Sequence, residues 1–197
     1  MIYTSFVSKN TVYEEVVQKF LIPSLEKWNL NYDIDYIEDR GSWAKNVYYK
    51  PEFIYKMLLK HKQPIVSLDA DATIEKYPEL FDKLPNDIDL AVHYLDWQSW
   101  YGKGNKKELL GGTLYFNYNE KVLNMVTDWM VTQKKVEQYA QRVLAKTLEV
   151  HKHIKIYELP LSYCYIKTLP QGGEPLVKLD PVILHHQVSR VFKHKKL

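Results

Sequence analysis

Asp69 and Asp71 stand one residue apart at the end of PIVSLDADAT, the segment from Pro64 to Thr73. Two carboxylates this close repel unless a positive charge lies between or beside them, and a hard divalent cation carrying phosphate oxygens is a suitable partner. The pattern alone is weak, because Asp-x-Asp occurs three times, at Asp33/Asp35, Asp69/Asp71 and Asp87/Asp89, and roughly one match is expected by chance. Context separates the three. Only the middle pair follows an apolar run with β-branched residues (Ile65, Val66, Leu68) and is flanked by small residues, Ser67, Ala70 and Ala72, that let a ligand come close. The other two pairs read as solvated carboxylates of a strand edge or a turn.

Other segments carry chemistry of their own. His185 and His186 follow the apolar run Pro181–Leu184 and offer a nitrogen ligand to the same cation, or else form a surface pair. Arg40, in the loop Asp39–Ser42, is placed either to meet a phosphate or to sit at the surface. Gly111 and Gly112 precede a strand and either allow close backbone approach to a ligand or make a plain turn. The stretch Trp97–Lys107, WQSWYGKGNKK, is aromatic, basic and glycine-containing; it reads as a mobile cover or as a loop packed on the core through its tryptophans.

The elements that must position these residues alternate. Ile2–Val7 reads as a strand, Val12–Trp28 as a helix interrupted by Pro23, and Tyr32–Ile37 as a second strand. Strand, helix and strand at this spacing argue for a βαβ unit and the α/β class. A helix over Trp43–Lys62 then leads into the strand ending at Asp69. Open α/β sheets bind ligands at the carboxyl ends of their strands, which is where the paired carboxylates fall. Further on, Asp89–Tyr94 and Lys155–Leu159 read as strands, and Glu120–Met130 and Lys134–Leu148 as helices.

At 197 residues, 46% hydrophobic and 26% charged, the chain is expected to be one soluble globular domain over residues 1–197. A net charge of +3 does not indicate a strongly basic nucleic-acid binder. The lone Cys164 excludes an internal disulfide and a cysteine metal site. With no signal-like start and no run long enough to span a bilayer, the expectation is a cytoplasmic protein. Neither G-x-G-x-x-G nor G-x-x-x-x-G-K-[ST] is present, which counts against nicotinamide-dinucleotide and P-loop chemistry.

Four segments in order resemble the nucleotide-sugar-dependent glycosyltransferases of the GT-A fold, and most of all small bacterial and viral members related to the glycogenin and galactosyltransferase group. IVSLDADAT (Ile65–Thr73) looks like their acidic metal-binding motif of the DXD type. Gly111-Gly112-Thr113 with Phe116-Asn117 resembles the segment that closes over the donor sugar. Glu137-Gln138 is similar to an acidic-Gln pair opening a helix, with Glu in place of the commoner Asp. PVILHHQVSR (Pro181–Arg190) looks like the terminal strand whose histidine, here His185, completes the metal site; His186 stands where an apolar or aromatic residue is more usual. Lys50-Pro51 also resembles a helix beside the donor site.

The resemblance spans residues 2–193 and implies a mostly parallel, Rossmann-like mixed sheet flanked by helices. It implies transfer of a hexose from a nucleoside diphosphate, a UDP-sugar by preference, to a hydroxyl on a glycan, lipid, protein or modified nucleobase, with retention of configuration. It implies Mn²⁺ or Mg²⁺ on Asp69, Asp71 and His185, with Asp69 alternatively on the ribose. Thr4, Arg40 and Lys50 are implied for the nucleotide, Gly111, Gly112 and Thr113 for the sugar, Lys193 for the diphosphate, and Glu137 and Gln138 for catalysis. Two other functions compete: a non-catalytic nucleotide- or metal-binding module of the same fold, and a nucleotidyltransferase. The second lacks its glycine-rich phosphate loop, because SFVSKNTVYEEV follows the first strand.

Overall fold

Pro23 and Pro51 decide where the first half of the chain breaks its helices. In the computed structural model, which describes residues 1–102, 104–169 and 173–189, the stretch from Val12 to Trp28 is two helices, α1 (Val12–Lys19) and α2 (Leu21–Lys27). The stretch from Trp43 to Lys62 likewise divides into α3 (Trp43–Val47) and α4 (Lys50–His61). Proline has no N–H to give to the carbonyl four residues back. Those carbonyls belong to Lys19 and Val47, the last residues of α1 and α3. Each proline then sits in the first turn of the following helix, where its N–H would have no partner anyway.

The strands are β1 (Ile2–Ser8), β2 (Tyr32–Ile37), β3 (Ile65–Leu68), β4 (Ala72–Ile74), β5 (Leu90–Asp96), β6 (Lys107–Phe116), β7 (Ile156–Glu158), β8 (Tyr165–Ile166) and β9 (Ile183–His185). Six of them form one sheet in the order β2-β1-β3-β6-β5-β7. Only β6 runs against its neighbours; the β1–β2, β1–β3 and β5–β7 pairs are parallel. A small second sheet has the order β4-β9-β8. The mixed, mostly parallel α/β architecture is the one expected.

Helices cover both faces. α4 packs with α6 (Glu120–Gln133) and α7 (Ala140–Val150) through Phe53, Met57, Trp129 and Leu144 against Ile65, Leu114 and Phe116. On the other face Val17, Leu21 and Leu25 meet Tyr3, Val66, Leu68 and Tyr115. β3 is buried at every position, Ser67 included, as a central strand covered on both faces requires. α7 starts later than the sequence pattern suggests. The Gln133 amide donates to the carbonyls of Val136 and Gln138, and this fastens a non-helical turn over the residues before Ala140.

Candidate functional site

β3 ends at Leu68 and the chain turns at once. The Asp69 N–H donates to the Gly112 carbonyl at 2.9 Å, and the Ala72 N–H closes a turn on the Asp69 carbonyl at 3.0 Å. β4 begins at Ala72 and pairs antiparallel with β9, which sets His185 opposite Ala72. The chain beyond β9 then folds over Asp71. The Val188 N–H donates to Asp71 Oδ2 at 2.8 Å, and the His186 N–H donates to the Asp71 carbonyl at 3.2 Å. Asp69, Asp71 and His185 thereby bring one ligand atom each to within 4.8 Å of the others.

The electrostatics of this cluster are unbalanced. Asp71 is buried, and burial first, then the charge of Asp69, pushes its carboxyl up to about 6. His185 is fully buried, and burial pulls its imidazole down to about 4, which keeps it neutral at physiological pH. Its Nε2 lies 2.9 Å from the Thr113 hydroxyl, while its Nδ1 is buried and has no hydrogen-bond partner among the described residues. Asp69 Oδ1 is 2.6 Å from the buried Lys50 ammonium, which also donates to the Gly111 carbonyl at 2.7 Å. One ammonium against two carboxylates leaves net negative charge beside an unpartnered ring nitrogen. A set of two carboxylates and one imidazole fits a divalent cation.

The glycine pair works through a bulge. On β5, Val92 pairs with Leu114 and the next residue, His93, pairs with Leu110, so Gly111, Gly112 and Thr113 have no partner on that strand. Bulges of this kind re-aim a strand beside a site. Here the released residues face the carboxylates: Gly111 takes Lys50, Gly112 takes the Asp69 N–H, and Thr113 holds His185. The His185 ring packs so closely on Gly112 that a Cβ there would lie 2.7 Å from Cε1.

A cavity of about 840 Å³ opens over this cluster, within the range of small-molecule sites. Its near end is formed by the carboxyl end of β1 (Ser5–Ser8) with Tyr13 and Asn46. Its middle is formed by Lys50, the Asp–Asp–His cluster, Gly111 and Gly112. Trp43, Tyr139, Gln141 and Arg142 close it from the helical side, and Trp97, Tyr101 and Glu108 form the far end.

Several residues named from the sequence lie elsewhere. Thr4 is buried inside the sheet with its hydroxyl directed to the Val66 carbonyl, and β1 reaches the cavity only from the next residue, Ser5, onward. Arg40 is turned away: Asn46 accepts from the Arg40 N–H at 2.8 Å, and the guanidinium lies 4.4 Å from the centre of the Tyr49 ring and 3.9 Å from Glu52. Glu137 borders a separate depression with Arg40 and Lys45. The Gln138 side chain accepts from Lys146. The late start of α7 puts Gln141 and Arg142 at the cavity instead, and Gln141 lies on Gly111, 3.3 Å from where a Cβ would be. His186 is a pin, stacked on Phe20 at 4.3 Å and bonded to the Thr73 hydroxyl at 2.7 Å. Lys193 and Lys103 lie outside the described residues. Trp100, in the stretch read either as a mobile cover or as a loop packed on the core through its tryptophans, is 1% exposed and packs on Tyr165 in a third core cluster, as the second reading has it. Ser5, Tyr13, Gln141 and Arg142 had no signal in the sequence beyond their type.

Comparison with protein-family models finds no match, and none of the curated proteins matches. Solved structures do match along nearly the whole chain. A glycosyltransferase involved in the glycosylation of the major capsid of PBCV-1 superposes with a TM-score of 0.65 at 12% identity, over 98% of this chain and 98% of its own. Mouse xyloside xylosyltransferase 1 gives 0.57 at 9% identity over 96% of this chain and 99% of its own. The glycosyltransferase GlyE of Streptococcus pneumoniae TIGR4 gives 0.55 at 16% identity over 93% of this chain, which spans about half of GlyE (53%). At these identities the likeness is one of fold alone: the chain shares the GT-A-like fold of these structures.

Proposed function

We propose that this chain is a metal-dependent glycosyltransferase that moves a hexose from a nucleoside diphosphate, by preference a UDP-sugar, to an acceptor hydroxyl with retention of configuration. The single observation that carries the reading is the meeting of Asp69, Asp71 and His185 around a buried, unpartnered Nδ1 at the floor of the cavity. The shared fold is consistent with it.

In the reaction, the bond from the anomeric carbon to the diphosphate oxygen breaks with its electron pair on the diphosphate. The bond to the acceptor oxygen forms, and the acceptor proton passes to the departing diphosphate or to solvent. A divalent cation held by Asp69 Oδ2, Asp71 and His185 Nδ1 would neutralise the negative charge that develops on the diphosphate. With the Thr113 hydroxyl accepting from Nε2–H, the imidazole would keep its Nδ1 lone pair for this role. Lys50 holds Asp69 in place and adds positive charge beside the leaving group. Ser5 to Ser8, with Tyr13 and Asn46, form the wall for the nucleoside. The missing Cβ atoms of Gly112 and Gly111 make room for the His185 ring and the Gln141 side chain, and Gly111, Gly112, Gln141 and Arg142 line the part of the cavity where the hexose would lie.

The reading is tested by incubating the protein with a panel of UDP- and GDP-sugars with and without Mn²⁺ and measuring free nucleoside diphosphate. Release that depends on both Mn²⁺ and one donor is expected, and the anomeric proton signal of the product then reads retention. UDP and Mn²⁺ should also tighten each other's binding by one shared factor. Tight but uncoupled UDP binding with no release from any donor would leave a non-catalytic nucleotide-binding module in its place.

A further inference from the structure

The far end of the cavity differs in chemistry from the end that holds the carboxylates. β6 runs on past Gly111 through Leu110 to Glu108, on the order of 10 Å further along the strand. There Glu108 and Leu110 line the cavity with Trp97 and Tyr101 of α5 (Trp97–Tyr101). The two rings stand nearly perpendicular, with centroids 5.4 Å apart and planes at 76°. The Trp97 indole N–H donates to Glu108 Oε2 at 3.3 Å, and the Lys106 ammonium lies 4.8 Å from the ring centre. An aromatic corner, a carboxylate and an ammonium therefore meet at one place.

This corner is held in position. Trp100, on the same short helix, is buried in the third core cluster. Asp96 caps the helix, accepting from the Gln98 N–H and the Ser99 hydroxyl at 3.0 Å each. Gly102 ends it in the left-handed region at φ 68°. A preset corner binds at lower entropic cost than a loop that must be ordered first.

A pyranose ring has the complementary character. Its C–H face is apolar and packs on an aromatic face, while its hydroxyls seek a carboxylate or a cation. An acyl or prenyl chain in the same corner would cover Glu108 without supplying a donor, which costs free energy. We propose that this corner is the acceptor subsite and that the acceptor is a carbohydrate, its terminal pyranose packed on Trp97 and Tyr101 with hydroxyls on Glu108. The inference rests on the glycosyl-transfer reading and names its second substrate.

The test is saturation-transfer NMR on the full chain, with and without UDP and Mn²⁺. The probes are methyl glucoside, galactoside, xyloside and N-acetylglucosaminide, with a short prenyl phosphate as the lipid-like competitor. At least one pyranoside should receive saturation at its ring protons. Trp97→Ala should weaken that pyranoside about tenfold, while Trp97→Phe keeps part of the affinity. Glu108→Gln serves as the second variant, and circular dichroism checks that each is folded. Binding of the prenyl phosphate alone, or a folded Trp97→Ala protein that binds the pyranosides as well as the native chain, would overturn the proposal. Separate calorimetry of UDP with Mn²⁺ keeps the two readings apart. Pyranoside binding with no UDP binding would strike the glycosyl-transfer reading itself and, with it, the acceptor role.

Discussion

Lys50 Nζ lies 2.6 Å from Asp69 Oδ1, with the lysine side chain 8% and the aspartate side chain 39% exposed. The ammonium is thus the buried partner and the carboxylate the half-open one. That asymmetry suits a charge that must stay fixed while Asp69 keeps its second oxygen for something else.

Lys50→Met tests this pairing. It leaves Asp69 and Asp71 without their nearby positive charge, and removing one partner of a buried pair is costly. Because Asp69 is partly solvated, the expected loss is about 2 kcal/mol in denaturant unfolding without metal. Added Mn²⁺ should stabilise the variant more than it stabilises the native protein. Equal stability and an equal metal response would show that Lys50 does not compensate the cluster.

Thr113→Val keeps the shape of the side chain and removes the hydroxyl bonded to His185 Nε2. Outer partners of this kind set the tautomer and direction of a ligating ring, and losing one typically costs about 10- to 100-fold in metal affinity. Calorimetric titration with Mn²⁺ should show a loss of that size, and Thr113→Ser should restore most of it. An unchanged affinity in the valine variant would free His185 from dependence on Thr113.

The adjacent glycines should respond differently. At Gly112 a Cβ would meet the buried His185 ring at 2.7 Å, whereas at Gly111 it would meet the Gln141 side chain at 3.3 Å. A partly exposed glutamine can move, and a ring fastened to Thr113 cannot. Gly112→Ala should therefore abolish Mn²⁺ binding, and Gly111→Ala should keep it while raising the donor KM. Identical Mn²⁺ titrations for the two variants would contradict the packing described.

The sequence made some of this visible and hid the rest for physical reasons. The apolar run into Asp69 reads as a buried strand because β3 is covered on both faces. The other two Asp-x-Asp pairs were separable by context, but not all of their carboxylates are solvated as expected: Asp33 pairs with Lys60 and His61 and Asp35 with Lys56, whereas Asp89 is buried and accepts from Asn119 and from the Lys155 N–H. The same double burial hides the choice between Thr4 and Ser5. Both are about 1% exposed, so no polar alternation marks which one turns towards the cavity. Choosing Glu137-Gln138 over Gln141 depended on where α7 begins. That start is set by the Gln133 side chain reaching forward to backbone carbonyls, a contact with no periodic signature. Pro23 and Pro51 were plain in the sequence, yet the length of helix each would end required knowing that the carbonyl four residues back closes the preceding helix.

The Asp71 carboxyl is raised from 3.8 to about 6, by burial first and then by Asp69. The folded chain therefore holds that proton more tightly than the unfolded chain, and Asp71 contributes most to stability at acid pH, losing it as pH rises from about 4 to 6. His185 runs the other way. Burial lowers it from 6.5 to about 4, so its contribution is complete above 6.5 and is lost as pH falls towards 4. In the native chain the two trends offset each other over one window, and the stability profile alone would hide both. Asp71→Asn removes the first trend, and the carboxamide oxygen can still accept from the Val188 N–H. In chelator, the stability of the Asn variant minus that of the native protein should rise between about pH 4 and 6, by on the order of 2 kcal/mol, and stay level above. Melting temperatures at several pH values across that window measure the difference directly. A difference that is flat with pH would mean that Asp71 ionises as an ordinary solvated carboxylate, and the case for a charge-starved cation site would fall with it.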